Sequence, residues 1–277
     1  MPPETRAVLG IDAAWTDNQA SGIALLTESD SGWRCVRVAS SLGTFTPGLV
    51  WDGPGLDLDA ELPIALETCH ELLGHGRIEI VAVDMPLAHE PITGRREADN
   101  QISRMFGHCK CAVHSPTPAR PGAFGRRMHE HLADAGFRLA TQAGALSPAL
   151  VEVYPHVALL GMMEVPERLP YKAAKTGKYW PGTPLPERKR RLVQEWALIL
   201  ERLQNEISDI DIVLPAAPEN STGSELKRIE DALDAVVCAW MAVQYLNGAA
   251  VPEGDADAAI WIPKSALPFA KLHHAPY

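Results

Sequence analysis

Long hydrophobic runs are missing from this sequence, and none approaches the roughly 18 residues that a membrane-spanning helix needs. The first residues, MPPETRAV, also lack the basic, apolar and small-residue pattern of a secretory signal. Cysteine is scarce, with five residues at irregular spacing, so a disulfide framework is not expected. We therefore expect a cytoplasmic protein with reduced thiols and no membrane partner.

A net positive charge is also absent, because 35 acidic residues outnumber 25 basic ones and give a formal charge of −10. This balance argues against a dedicated nucleic-acid binder, since a phosphate backbone favours a basic surface. However, residues 94–138 and 171–191 together hold 15 of the basic residues and only five acids. These two basic stretches either follow a phosphate backbone or form solvated loops, and the sequence leaves both interpretations open.

The composition is otherwise that of a globular protein, with 46% hydrophobic and 22% charged residues in 277 positions. We expect one domain over residues 1–277, with an insertion at about 91–148 that contains a helix at 126–135. Hydrophobic periodicity and turn residues predict the remaining elements. Strands are expected at 6–12, 21–27, 33–39, 79–86 and 150–160, helices at 60–73, 187–206 and 223–247, and loops at 40–59 and 165–186.

This order of elements predicts an α/β fold. Three antiparallel strands come first, parallel strands follow, and helices cover both faces of the mixed sheet. In such sheets, ligands bind outside the carboxyl ends of the parallel strands. Asp12 and Asp84 each end a predicted strand, so we expect the two side chains to converge.

Three further acids interrupt apolar segments. Glu152 lies within the run Leu150–Val153, and Asp231 and Asp234 lie on one face of an otherwise apolar helix. A buried, unpaired carboxylate costs several kcal/mol, so each should be paired or bound to a cation. The pairing alternatives are Arg104 or Lys172 for Glu152, and Lys227 or Arg228 for the two aspartates, while Asp12 could simply cap a turn.

If these acids converge, their oxygens suit Mg²⁺ or Mn²⁺. The predicted ligands are Asp12, Asp84, Asp231 and Asp234, with Glu152 as a further catalytic candidate. Two such ions about 3.5–4 Å apart can activate water and stabilise the leaving oxygen of a phosphodiester. Candidate residues for binding a nucleic-acid or nucleotide substrate are Arg104, Lys172 and Lys175, although the lysine loop could equally be exposed and free.

A second, softer ligand set is His108, Cys109, Cys111 and His114. Zinc prefers such nitrogen and sulfur donors, but the spacing is not that of a standard finger. Reduced thiols and polar histidines are the alternative interpretation, and we favour it.

Several motifs together resemble those of the domain of unknown function 429 family. They are GID at 10–12, VAVDMPLA at 81–88, VEVYPH at 151–156, EDALDAVVCAW at 230–240, EADNQISRMFG at 97–107 and HSPTPAR at 114–120. The resemblance covers most of residues 6–247 and implies an RNase H-like fold and a metal-dependent nuclease. The spacing of Asp231 and Asp234 also resembles the last helix of RuvC-type resolvases, although such enzymes usually carry Glu where Asp84 stands.

Two other classes of protein remain open. One is a non-catalytic binding or scaffold module that has the same fold. The other is an actin-like ATPase, which would need a Gly/Thr-rich phosphate loop after each acid. Here Ala13-Ala14-Trp15 follows Asp12 and Met85-Pro86 follows Asp84, so the ATPase is disfavoured.

Overall fold

A computed structural model describes residues 5–16, 19–47, 58–144 and 146–271. Within these residues, nine strands form one sheet with the order β7-β3-β2-β1-β4-β6-β9-β8, and β5 pairs with β6 at the side. The strands are β1 (Arg6–Asp12), β2 (Gly22–Ser29), β3 (Gly32–Ala39), β4 (Arg77–Val83), β5 (Arg138–Leu139), β6 (Ala149–Val153), β7 (Ile207–Ser208), β8 (Ala250–Gly254) and β9 (Ala259–Pro263).

The sheet is mixed, as predicted. β1, β2 and β3 are antiparallel neighbours, whereas β1 pairs with β4, β4 with β6, and β6 with β9 in parallel. The helices are α1 (Leu42–Phe45), α2 (Leu58–Leu73), α3 (Glu97–Phe106), α4 (Gly122–Asp134), α5 (Pro155–Met163), α6 (Thr176–Tyr179), α7 (Leu185–Gln204) and α8 (Gly223–Leu246).

Helices cover both faces of the sheet. On one face, apolar residues of α7 and α8 pack with Val8 and Ala82. On the other face, α2 and α4 pack with Leu9 and Leu150. An α/β fold with a mixed sheet is therefore confirmed. Among the helices of the described residues, none combines the length and the apolar character needed to cross a bilayer.

Several predicted elements differ from the structure. The strand predicted at 150–160 ends at Val153, and Pro155 occupies the first turn of α5. Proline fits there because its fixed φ suits a helix and its missing N–H needs no partner. The sequence analysis also missed α3 and the hairpin β8–β9. A short helix, α1, lies in the loop predicted at 40–59, and residues 48–57 of that loop lie outside the described residues.

Helix α8 lies against the sheet at two glycines. A Cβ atom on Gly10 would lie 2.2 Å from both the carbonyl oxygen of Ala235 and the amide nitrogen of Ala239, and one on Gly22 would lie 2.1 Å from the carbonyl oxygen of Asp231. The backbones of helix and strands therefore touch directly, because these two strand residues have no side chain. The contact fixes the position of α8 relative to the end of β1.

Candidate functional site

The first two acids of the site come from adjacent parallel strands. Asp12 ends β1 and Asp84 follows β4, and the amide of Asp84 donates a hydrogen bond of 2.9 Å to the carbonyl of Ile11. Alternate residues of a strand point to the same face. Gly10 and Ala82 both face α8, so Asp12 and Asp84 project toward α8 as well. The structure brings these two predicted residues together.

Helix α8 supplies the next acids. Gly22 pairs with Asp12 across β1 and β2, and the backbone of Asp231 packs on that same glycine. Asp231 therefore reaches the carboxyl end of β1, and Asp234 lies one turn further along the helix. Glu230 is also buried and accepts a hydrogen bond from the amide of Ala173. Glu230 was not among the residues predicted from the sequence, although its position directly before Asp231 on a buried helix was a signal.

Two lysines pair with the acids of α8. Lys227 binds Asp231 and also lies 3.2 Å from Glu230. Lys172 binds the fully buried Asp234, which also accepts a 2.8 Å hydrogen bond from the Tyr171 hydroxyl. Lys227 was one of the pairing alternatives drawn from sequence. The pairing of Asp234 with Lys172, 62 residues away in sequence, was not.

Asp12 and Asp84 differ from the acids of α8. Within the described residues, neither carboxylate makes a hydrogen bond or an ion pair with a side chain or backbone group. Burial raises the pKa of Asp12 to about 6, and Asp231 adds to this rise while Lys172 opposes it. Burial, together with the charges of Asp12 and Asp234, raises the pKa of Asp84 well above its usual value. Among the residues that the structure describes, neither acid thus has an ion-pair partner of its own, and Lys172, whose charge opposes the rise at both acids, is paired with Asp234.

These acids line an open cavity of about 590 Å³. Its charged lining residues are Asp12, Asp84, Asp231, Arg120, Lys227 and Arg228. A smaller cavity of about 190 Å³ adjoins it, and Trp15, Asp84 and His114 line both. The guanidinium of Arg120 lies 5.9 Å from the centre of the Trp15 ring, so the lining of the larger cavity includes an aromatic and cationic pair as well as the acids.

Glu152 lies on the other face of the sheet, with Leu150. Its two oxygens accept hydrogen bonds of 2.6 and 2.7 Å from the guanidinium of Arg96, and the amide of Leu87 donates a third of 2.7 Å. Its partner is therefore Arg96, and neither of the alternatives, Arg104 and Lys172, pairs with it. Burial raises the pKa of Glu152, and Arg96 opposes this rise. Glu152 holds the segment after Asp84 in place.

Two of the three candidate substrate-binding residues lie near the carboxylates, and the third does not. Lys172 and Lys175 line the smaller cavity. Arg104 instead pairs with Glu97 on the exposed side of α3 and is not among the residues lining either cavity. The structure therefore does not bring Arg104 to the carboxylates.

No group of three or more His, Cys, Asp or Glu side chains within the described residues is arranged to hold a metal ion. Near the carboxylates, the amino groups of Lys172 and Lys227 lie among the acids and take part of their charge. In the His108–His114 segment, where zinc was the less favoured interpretation, Cys111 is buried and its thiol contacts the carbonyls of Cys109 and His156. Burial raises its pKa to about 12, which disfavours the thiolate that zinc needs.

Stability in the absence of metal should depend on the ionisation of Asp12. Its folded pKa of about 6 lies above the unfolded value of 3.8, so the folded state loses stability as pH rises from about 4 to 7. Asp12→Asn cannot ionise and should gain about 1–3 kcal/mol relative to the wild type over this range, since one pKa unit is worth about 1.4 kcal/mol. Urea unfolding in EDTA at several pH values measures this difference, and the exposed Asp30→Asn is the control. A difference independent of pH would contradict the assignment.

Together these features define an α/β protein with a carboxylate cluster at the carboxyl edge of a mixed sheet. A family model described as "Protein of unknown function (DUF429)" matches residues 10–258. The chain belongs to this family, as the short motifs predicted. Searches of curated proteins and of solved structures returned no significant match. The description of the family assigns it no activity.

Proposed function

We propose that this protein is a metal-dependent phosphodiesterase or nuclease with an RNase H-like arrangement of acids. The observation that carries the proposal is the pair Asp12 and Asp84, which lie side by side without partners at the carboxyl ends of β1 and β4. Like charges on neighbouring, partly buried residues are unfavourable unless a proton or a cation joins them. A divalent cation would remove this repulsion.

The donor set fits a hard cation. Asp12 and Asp84 offer carboxylate oxygens, which Mg²⁺ and Mn²⁺ prefer. Asp231 can join them when Lys227 moves aside, since the Lys227 side chain is 48% exposed. Asp234 is the fourth candidate ligand, but Lys172 and Tyr171 already hold it. A bound ion would supply an activated water and neutralise the charge of a phosphodiester.

The other residues of the larger cavity suit a nucleotide chain. Arg120, Lys227 and Arg228 present positive charge that attracts phosphate groups into a site on an otherwise acidic protein. Trp15 offers an aromatic face on which a base can stack, and stacking is tolerant of base identity. We further propose a cytoplasmic location, since all five cysteines are free and buried.

A thermal-shift and cleavage experiment tests this function. Mn²⁺ at about 100 times its Kd should stabilise the wild type by about 2.7 kcal/mol. Asp84→Asn should abolish this response and lower the cleavage rate of fluorescent DNA and RNA oligonucleotides at least about 100-fold, since even indirect partners of a metal are worth about 10–100-fold. Asp30→Asn, an exposed aspartate in the β2–β3 turn, is the matched control and should behave as the wild type.

The non-catalytic alternative also has an observation in its favour. Lys172 and Lys227 already neutralise Asp234 and Asp231, as in a structural ion-pair network. If Mn²⁺ leaves the wild-type melting temperature unchanged and no oligonucleotide is cut, this scaffold function replaces the nuclease.

A further inference from the structure

The smaller cavity beside Asp84 contains positive charge that has no partner. Of the cations that line it, Arg96 pairs with Glu152 and Lys172 pairs with Asp234. Arg168 and Lys175 form no ion pair within the described residues. Both lie in the segment between α5 and α6, whose backbone is held by a hydrogen bond from the amide of Arg168 to the carbonyl of Cys109.

Hydrogen-bonding atoms in the lining of this cavity are buried without partners. The Nε and Nη2 atoms of Arg168 are shielded from solvent and make no hydrogen bond of normal geometry within the described residues, although the Tyr179 hydroxyl lies nearby. His156 is 7% exposed, and its Nδ1 atom likewise has no partner. A buried polar group that lacks a partner costs about 1–3 kcal/mol, and more when it is charged. An acceptor placed in the cavity would satisfy these groups.

The first turn of α5 adds to the positive potential. This nine-residue helix begins at Pro155, and Tyr154, Pro155 and His156 all line the cavity. The amino end of a helix carries partial positive charge, which favours anions. The amides of Val157 and Ala158 already donate to the carbonyl of Tyr154, so the groups that face the cavity here are side chains. At this helix end the His156 ring, whose Nδ1 atom has no hydrogen-bond partner in the described part of the chain, lies in the cavity wall.

The charges in this cavity repel one another. Burial lowers the pKa of Lys175, and the nearby charges of Arg168, Lys172 and Lys178 lower it further. Burial, with Lys172 and Arg168, also lowers the pKa of His156 well below its usual value. An anion bound here would relieve this repulsion in the same way that a cation would relieve the repulsion between Asp12 and Asp84.

We propose that the smaller cavity binds the terminal phosphate of a nucleotide chain, through Arg168, Lys175 and His156. Its volume of about 190 Å³ lies below the roughly 300–1,000 Å³ of sites for whole small molecules, so it suits one group. Asp84 lines both cavities, so a chain end bound here places a phosphodiester beside the carboxylates. This proposal rests on the proposed function and makes the enzyme act on chain ends.

The first test measures binding of inorganic phosphate by calorimetry in EDTA, so that no metal contributes. The wild type should bind phosphate, and Arg168→Gln and Lys175→Gln should each weaken binding about tenfold or more, since each removes a charge-assisted hydrogen bond. Arg138→Gln and Arg104→Gln remove the same charge from exposed residues that line neither cavity, and both should bind as the wild type. No binding to the wild type, or equal losses in all four variants, would overturn the proposal.

The second test identifies the chain end. Thymidine trinucleotides with a 5′-phosphate, with a 3′-phosphate or with neither are titrated in EDTA into the wild type, Arg168→Gln and Arg228→Gln. One phosphorylated form should bind about tenfold more tightly than the unphosphorylated form to the wild type, and this preference should vanish in Arg168→Gln. Equal affinities for all three trinucleotides, or a loss seen only in Arg228→Gln of the larger cavity, would overturn it.

The two proposals can fail separately. Arg168→Gln and Lys175→Gln should retain the Mn²⁺-dependent rise in melting temperature, which also shows that they fold. Asp84→Asn should retain phosphate binding. A Mn²⁺ response without phosphate binding would overturn only the terminal-phosphate site, whereas phosphate binding without a Mn²⁺ response would support that site and overturn the nuclease.

Discussion

Gly10→Ala is expected to destabilise the protein by at least about 3 kcal/mol, the upper end of the usual cost of overpacking a core. The new Cβ atom would lie 2.2 Å from two backbone atoms of α8, which no side-chain rotation can move. Helix and sheet would have to separate along the whole contact. The free energy of unfolding of a folded domain is only about 5–15 kcal/mol, so the variant would lose a large part of its stability.

Urea unfolding monitored by circular dichroism measures this loss. Gly43→Ala is the matched control, because Gly43 is buried but a Cβ there would meet only the side chain of Glu61 at 3.7 Å, an ordinary contact distance. Gly22→Ala should behave like Gly10→Ala, since its Cβ would lie 2.1 Å from the carbonyl of Asp231. A Gly10→Ala variant as stable as Gly43→Ala would refute the direct backbone contact.

Arg96→Met is expected to cost about 3–5 kcal/mol, the usual penalty for removing one partner of a buried ion pair. Arg96 is 8% exposed and binds two carboxylates, those of Glu152 and Asp99. It also donates a 2.7 Å hydrogen bond to the carbonyl of Leu87. Without the Arg96 guanidinium, the buried carboxylates of Glu152 and Asp99 lose their positively charged partner. The segment that follows Asp84 also loses its hydrogen bond at the carbonyl of Leu87.

The matched control is Arg104→Met, on α3, the helix that begins directly after Arg96. Arg104 pairs with Glu97 in solvent, where such pairs contribute about 0–1 kcal/mol. The double variant Arg96→Met with Glu152→Gln should recover part of the lost stability, because it leaves one unpaired buried carboxylate where Arg96→Met alone leaves two. If Arg96→Met and Arg104→Met unfold at the same urea concentration, the buried network contributes nothing and the assignment fails.

Periodicity and turn residues predicted the first four strands and the last two helices, because their apolar spacing matches one kind of element only. The acids at strand ends and on α8 could also be predicted as candidate site residues, since an acid within or next to an apolar run is unusual. The run after Glu152 was ambiguous, because short apolar segments fit strand and helix alike. Pro155 favours the helix, because proline fits the first turn of a helix. β8 contains Pro252 and ends at Gly254, both of which are depleted in strands, so it was missed.

The partners of the acids were the least predictable part of the site. Lys227 lies one helical turn before Asp231, and this spacing can be recognised in the sequence. Arg96 and Glu152 are 56 residues apart in sequence, and only the folding of the chain brings them together. The same is true of Arg168, whose unpartnered atoms become visible only when its neighbours are known.

The glycine contact between α8 and the strands has a consequence for how the site is prepared. No side chain separates the backbone of Asp231 from that of Gly22, which lies opposite Asp12. The spacing of these two acids is therefore set by main-chain atoms, and repacking of side chains elsewhere in the core leaves it unchanged. The acids are held near one another before any ion or substrate arrives, so little ordering has to accompany binding.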